Sequence, residues 1–199
     1  MLDQNSQKPL KKETVLKSRI KPMNSFMKWR HSIIRIPYTN QKAERDTILH
    51  APDVAVLVID SQHRIVLEKQ WRGSVHSFTF EIPAGKIDVR DHQHPRHAAL
   101  RELNEEVRIA PSRLQPLFSG VSCYNSPGCT NEATYFYLAT GLKKVQRDLP
   151  RDKGEFMHLG WVPFSKALSL VKTGQIRDTQ SIVAILAAAR LKTLKLTKG

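Results

Sequence analysis

The spacing of apolar positions changes several times along this chain, and each change marks an element. "DVAVLVID" (53–60) is a short apolar run rich in valine and predicts a buried strand; "SQH" follows as a turn and "RIVLEKQW" (64–71) as the returning strand. "HSFTFEIP" (76–83) alternates, with Phe78, Phe80 and Ile82 on one face and Thr79 and Glu81 on the other, until Pro83 and Gly85 stop it. After a loop to Pro95 the period becomes helical in "RHAALRELNEEV" (96–107). "LQPLFSGV" (114–121), "EATYFYLAT" (132–140) and "EFMHLGWV" (155–162) predict later strands. "SKALSLVKTG" (165–174) predicts a helix ended by Gly174, and "TQSIVAILAAARLKTL" (179–194) a last helix that packs on the core. Upstream, "SFMKWRHSIIRIPY" (25–38) supplies one or two strands, while 1–24 shows little apolar periodicity. Strands, one helix, strands, then helices is not the regular alternation of a doubly wound sheet. It predicts an α+β domain in which helices cover a mixed sheet. Three segments follow: a basic lead-in (1–24), an N-terminal strand segment (25–50) and the main domain (51–199).

Charge sharpens this division. The net charge is +14, but residues 1–30 hold eight Lys/Arg against Asp3 and Glu13, and residues 187–199 hold four against none. The excess therefore sits mostly at the two ends, which argues against a dedicated nucleic-acid surface on the central domain. The basic start resembles an organelle transit peptide, but Asp3 and Glu13 weaken that likeness, and no apolar core of a secretory signal is present. No apolar run approaches the ~18 residues of a membrane span. Cys123 and Cys129 are too few for a disulfide framework and predict two free thiols in a reducing cytosol.

Against this basic background stand Glu102, Glu105 and Glu106 in "RELNEEV". On a helical wheel they share one sector of roughly 100°, apart from Leu100, Leu103 and Val107, so the helix can dock by one side and present carboxylates from another. Like charges at this spacing repel by about 0.2–0.5 kcal/mol per pair. Clustered carboxylates are a normal ligand set for hard divalent cations. For an isolated "ELNEE" the alternative is a solvated acidic face.

The surroundings of that cluster resemble the Nudix hydrolase family. Its signature is Gly, five residues, Glu, seven residues, then Arg-Glu-apolar-X-Glu-Glu-X-Gly-apolar. Gly85 opens it here, and Arg101, Glu102, Leu103, Glu105, Glu106 and Ile109 fill the second half in register. "QWR" (70–72), "EIPAGKID" (81–88), "AALREL" (98–103), "SPGCTNE" (126–132) and "GQIRDTQS" (174–181) look like the ADP-ribose pyrophosphatase branch, so the likeness spans roughly residues 50–190. Two departures stand out. The family's late glycine is Arg108, and the stretch from Gly85 to Arg101 is two residues longer than the pattern. Asp91 therefore sits at the family's distance from Gly85 and Gln93 at its distance from Arg101; of the two, Asp91 is the better chemical candidate for the upstream acid.

The resemblance implies a Nudix fold, an α/β/α sandwich with a short β-rich N-terminal segment. It implies that Glu102, Glu105 and Glu106, with the carbonyl of Ala84, hold Mg²⁺ ions (Mn²⁺ as substitute), and that Arg101 holds the carboxylates in place; otherwise Arg101 is an ordinary surface partner of Glu105. Glu155 aligns as general base, with Asp152 as fallback, and Glu105 belongs to the catalytic set. Arg72, Glu81, Pro127, Gly128 and Glu132 match substrate-contacting positions; for Arg72 and Glu81 the alternative is a structural pair. His92, His94 and His97 lack the spacing of a standard zinc set and read as a solvated loop. The implied activity is Mg²⁺-dependent hydrolysis of ADP-ribose to AMP and ribose 5-phosphate by a cytoplasmic homodimer, without a membrane or specific nucleic-acid partner. The alternatives are another nucleoside diphosphate sugar (UDP-glucose, GDP-mannose) or a weakly catalytic domain that binds a nucleotide or RNA.

Overall fold

The computed structural model describes residues 10–150 and 156–191. It divides into two compact units, one made of the chain up to His50 with residues 126–131, the other of Ala51–Asn125 with the chain from Glu132. The first unit is an antiparallel meander of β1 (Thr14–Pro22), β2 (Met27–Arg35) and β3 (Lys42–His50), and the 126–131 turn hydrogen-bonds to Ile48. Strand β1 falls within the segment that sequence reads as an aperiodic lead-in. All nine of its residues are exposed, so it buries no face that a period of two would reveal; pairing with β2 makes it a strand.

The second unit has two sheets. One runs β7 (Ala84–Lys86), β4 (Asp53–Val58), β10 (Ala133–Lys144), β8 (Ile109–Pro116), with the short β9 (Cys123–Tyr124) also on β10. The other runs β11 (Met157–Pro163), β5 (Arg64–Arg72), β6 (Ser77–Glu81). Every residue of β4 is buried, as expected of a central strand that pairs in parallel with β10 and is covered on both faces. On one face Ala55, Leu57 and Ile59 meet Phe164 of α2 (Phe164–Lys172) and Ala184, Ile185 and Ala188 of α3 (Thr179–Ala189). On the other Val54, Val56 and Val58 meet Ala98, Ala99 and Leu103 of α1 (Pro95–Glu102) and its extension. These layers form the sandwich.

Strand β8 starts five residues before the expected Leu114. Arg108 turns the chain in the left-handed region (φ 61°), so it passes from the helix end straight into a strand on β10. Helix α3 is described to its end at Ala189; residues 192–194 of the expected helix lie outside the described residues.

Candidate active site

The acidic stretch is not a plain α-helix. Helix α1 starts at Pro95, whose missing N–H costs nothing at a helix's first position, and gives way at Leu103–Val107 to a single π-turn. The wider turn carries Glu105 and Glu106 inward. Glu102, Glu105 and Glu106 keep only 8%, 5% and 3% of their surface exposed, so the solvated acidic face is excluded. Leu100, expected on the packing stripe, is instead on the solvent side; Ala98, Ala99 and Leu103 do the packing.

Burying three carboxylates is costly without counter-charge. Arg101 supplies it. Its Nη1 donates to Glu102 Oε1 (2.7 Å) and Glu105 Oε2 (2.9 Å), its Nε and Nη2 to the two oxygens of Asp91 (2.9 and 2.8 Å), and Nη2 also to the Lys86 carbonyl (2.9 Å). Arg90 reaches Glu105 Oε1 at 3.3 Å. Burial by itself would lower the Arg101 pKa, but the hydrogen bonds and charges of Asp91 and Glu102 outweigh it and raise it. For Asp91, burial pushes up and the Arg101 hydrogen bonds win, leaving the carboxyl below its ordinary value.

Asp91, the candidate for the upstream acid, binds Arg101 bidentately. A capping box fixes it there: Asp88 accepts from Arg90 N–H and Asp91 accepts from Asp88 N–H. The two extra residues are absorbed just beyond, where His92 and Gln93 both take positive φ before the helix begins. Gly85 is needed for another reason: a Cβ there would overlap the Glu102 carboxylate and displace it.

On the second sheet Arg72 and Glu81 pair, Nε to Oε1 at 2.8 Å and Nη2 to Oε2; Gln70 and Thr79 also donate to Glu81. Burial pushes Glu81 up, but these partners hold its carboxyl below the usual range. Arg72 also feels the charges of Asp178 and Glu106, which brings this corner toward the acidic cluster. Asp178, the N-cap of α3, is pushed up by burial against the hydrogen bonds from Ser181.

The other expected positions are dispersed. Glu132 lies beside Asp53, which is buried on β4 and pushed up to about 7 by desolvation and by the Glu132 charge. Gln180 of α3 donates to Asp53 (3.4 Å) and Thr134 (2.9 Å). Pro127 and Gly128 belong to the exposed 126–131 turn of the first unit, closed by Cys129 and Thr130 N–H groups on the Ser126 carbonyl. Glu155 and Asp152 lie outside the described residues. His92, His94 and His97 are exposed, with His94 and His97 stacked at 4.8 Å. Cys123 and Cys129 are free thiols.

Sequence reasoning missed a latch at the platform's end. Asn104 Nδ2 donates to the Arg147 carbonyl (3.0 Å) and its Oδ1 accepts from Leu149 N–H (2.9 Å). The Arg108 guanidinium donates to the Asn104 and Leu149 carbonyls. The residue that replaces the family's glycine thus adopts the glycine conformation and uses its side chain to hold the chain at 147–149.

Chemically, the helix carries a compact all-oxygen donor set, which suits a hard divalent cation and not a soft one. The glycine cradle under Glu102 and the short path to the Ala84 segment fit such an ion. Among the described residues no helix is long and apolar enough to cross a membrane.

Comparison with known proteins agrees with this geometry. The family model for the NUDIX domain matches residues 49–182. The chain is 30% identical over 179 residues, 90% of each chain, to the methanol dehydrogenase activator of Bacillus methanolicus. It is 32% identical over 147 residues to the ADP-ribose pyrophosphatase of Bacillus subtilis, covering 73% of this chain and 77% of that one. A solved structure described as an ADP compounds hydrolase superposes with a TM-score of 0.76 over 92% of this chain and 95% of its own, at 17% identity.

Proposed function

The chain belongs to the Nudix hydrolase family, and from that premise we propose that it hydrolyses ADP-ribose to AMP and ribose 5-phosphate with Mg²⁺. The observation that carries this is the burial of Glu102, Glu105 and Glu106 on two successive turns, with Glu102 and Glu105 sharing Arg101 and Glu102 lying over Gly85. No ordinary packing role needs three buried carboxylates on two turns.

Glu102, Glu105, Glu106 and the Ala84 carbonyl are the ligands in this reading. Bound there, Mg²⁺ supplies charge neutralisation on the diphosphate and a lowered pKa for an attacking water. Arg101 keeps the carboxylates aimed and spaced. Arg72 and Glu81 hold the nucleotide sugar; Glu81, fixed by Arg72, stays ionised and can accept ribose hydroxyl or adenine amino hydrogens. Pro127, Gly128 and Glu132 are further substrate contacts. The water would give a proton to a carboxylate, Glu155 by family resemblance with Glu105 in the same charge network; its oxygen would bond one phosphorus as the bridging oxygen leaves with the other phosphate, giving AMP and ribose 5-phosphate. A cytoplasmic homodimer joined through the N-terminal strands completes the picture, supported by Val15 and Ile20, which β1 leaves 60% and 53% exposed.

The test is turnover of ADP-ribose, UDP-glucose and GDP-mannose by purified protein with Mg²⁺. Activity on ADP-ribose above the others is expected. A clear preference for UDP-glucose would overturn the substrate, and no turnover of any would overturn the enzyme. A dimer mass in solution that Val15→Glu dissociates supports the dimer; a monomer at micromolar concentration removes it.

A further inference from the structure

The chain changes sheets between Glu81 and Ala84. Glu81 ends β6 in one sheet and Ala84 starts β7 in the other, so the proposed substrate corner and the proposed carbonyl ligand are joined by only two residues. One of them, Pro83, has no N–H, and its carbonyl accepts from Val56 N–H at 2.8 Å. The N–H of Ile82 is therefore the one backbone donor left in the crossover. It goes to a side chain 99 residues away: Ile82 N–H donates to Ser181 Oγ at 2.9 Å.

Ser181 is fully buried in the first turn of α3. Its hydroxyl donates to Asp178 Oδ2 at 2.6 Å, and the same oxygen accepts Ser181 N–H at 2.7 Å. Donor, relay and acceptor are thus all assigned: Ile82 N–H to Ser181 Oγ–H to Asp178. Asp178 is also within electrostatic reach of Arg72 and Glu81. The neighbouring Gln180 points elsewhere, to Asp53 and Thr134.

We propose that Ser181, oriented by Asp178, is a positioning residue for the reaction: it fixes the Ile82–Ala84 crossover so that the Ala84 carbonyl stays aimed at the carboxylates of 102–106 while Glu81 stays on Arg72. It touches neither substrate nor cation and acts through the backbone. The proposal rests on the hydrolase reading above, because it concerns the carbonyl assigned there as a ligand.

The test compares Ser181→Ala, Ser181→Thr and Gln180→Ala. Mn²⁺ binding is measured by titration calorimetry without substrate, alongside the Mg²⁺ concentration for half-maximal rate and the melting temperature without metal. Ser181→Ala is expected to weaken Mn²⁺ binding and raise the Mg²⁺ requirement about tenfold, the usual cost of removing an outer hydrogen-bond partner of a ligand. Its kcat at saturating Mg²⁺ stays within about twofold. Ser181→Thr, which keeps the oxygen, restores Mn²⁺ affinity, and Gln180→Ala leaves it unchanged even where stability falls. If Ser181→Ala binds Mn²⁺ as tightly as the unaltered protein, or if all three variants weaken binding in proportion to lost stability, the positioning role is wrong. An unaltered protein that binds Mn²⁺ but turns over no nucleotide sugar sinks the hydrolase reading and leaves the calorimetric comparison decisive for Ser181.

Discussion

Two groups of buried acids in the second unit solve the same problem in opposite ways. On α1 and its π-turn, Glu102 and Glu105 are paired with Arg101 and Arg90, and Glu106 is buried beside them. On β4, Asp53 meets Glu132 with an amide, Gln180, as neighbour, and its carboxyl holds a proton up to about pH 7. In the first group guanidinium counter-charge reaches Glu102 and Glu105 directly. In the second, desolvation and the Glu132 charge raise the Asp53 pKa instead. Burial of carboxylates alone therefore says little about a site; the groups buried beside them decide what they can do. The pH signs also oppose. Asp91, whose folded pKa is lowered, contributes stability above its unfolded value that is lost as pH falls through the folded one. Asp53, whose folded pKa is raised, contributes stability at low pH that is lost as pH rises toward about 7.

Removing the compensation should break the contrast most severely. Arg101→Met leaves Asp91, Glu102 and Glu105 without their shared partner. Breaking a buried ion pair costs about 3–5 kcal/mol, so the melting temperature should fall by roughly 10 °C or more and activity should vanish. Scanning calorimetry checks it; a melting point within 3 °C of the unaltered protein would show the cluster is compensated otherwise. Glu106→Gln comes next. It keeps the fold, removes one proposed ligand and should lower kcat by about 10²–10³-fold. Near-normal kcat in saturating Mg²⁺ refutes the ligand assignment.

The contrast also explains what could be read from sequence. Glu102, Glu105, Glu106 and Arg101 are local in sequence, and their spacing announces a shared face. Arg72 and Glu81 were visible as candidates, and their spacing across one tight hairpin brings them together. The π-turn was not legible, because i→i+5 bonding leaves no mark on an apolar period; Leu100 was misplaced because Ala98 and Ala99, with Leu103, supply the packing face. Strand β1 escaped because it buries nothing. Asp91's pairing with Arg101 depends on the capping box at Asp88 and on two residues of insertion. The Ser181–Ile82 bond and the Asp53–Glu132 pair join positions far apart in the chain, and no local pattern encodes such a meeting.

Smaller in effect, Asp53→Asn would sharpen the comparison from the other side. The amide keeps the shape and can donate to Glu132 without a titrating proton. The unaltered protein should lose melting temperature through this group as pH rises from the ordinary carboxylate range to about 7, and the variant should lose less. At pH 8 the variant should melt a few degrees higher. Parallel melting curves across that range would show that Asp53 is not held protonated in the fold.

The smallest net change is expected where two terms cancel. Arg108→Gly restores the family's residue at a left-handed position, relieving roughly 1–2 kcal/mol of backbone strain. It also removes the guanidinium that donates to the Asn104 and Leu149 carbonyls and lies 3.7 Å from Asp148. Surface-level hydrogen bonds of this kind contribute about 0.5–1.5 kcal/mol each, so the melting temperature should move by no more than about 3 °C. The second acidic group offers a control, since nothing at Arg108 touches it. Adding Asn104→Ala separates the terms: with its hydrogen bonds to 147–149 gone, the latch is already half open, and Arg108→Gly should then stabilise rather than break even. If Arg108→Gly destabilises by the same amount with and without Asn104, the two residues do not share the latch, and the end of the acidic platform is held by something other than the chain at 147–149.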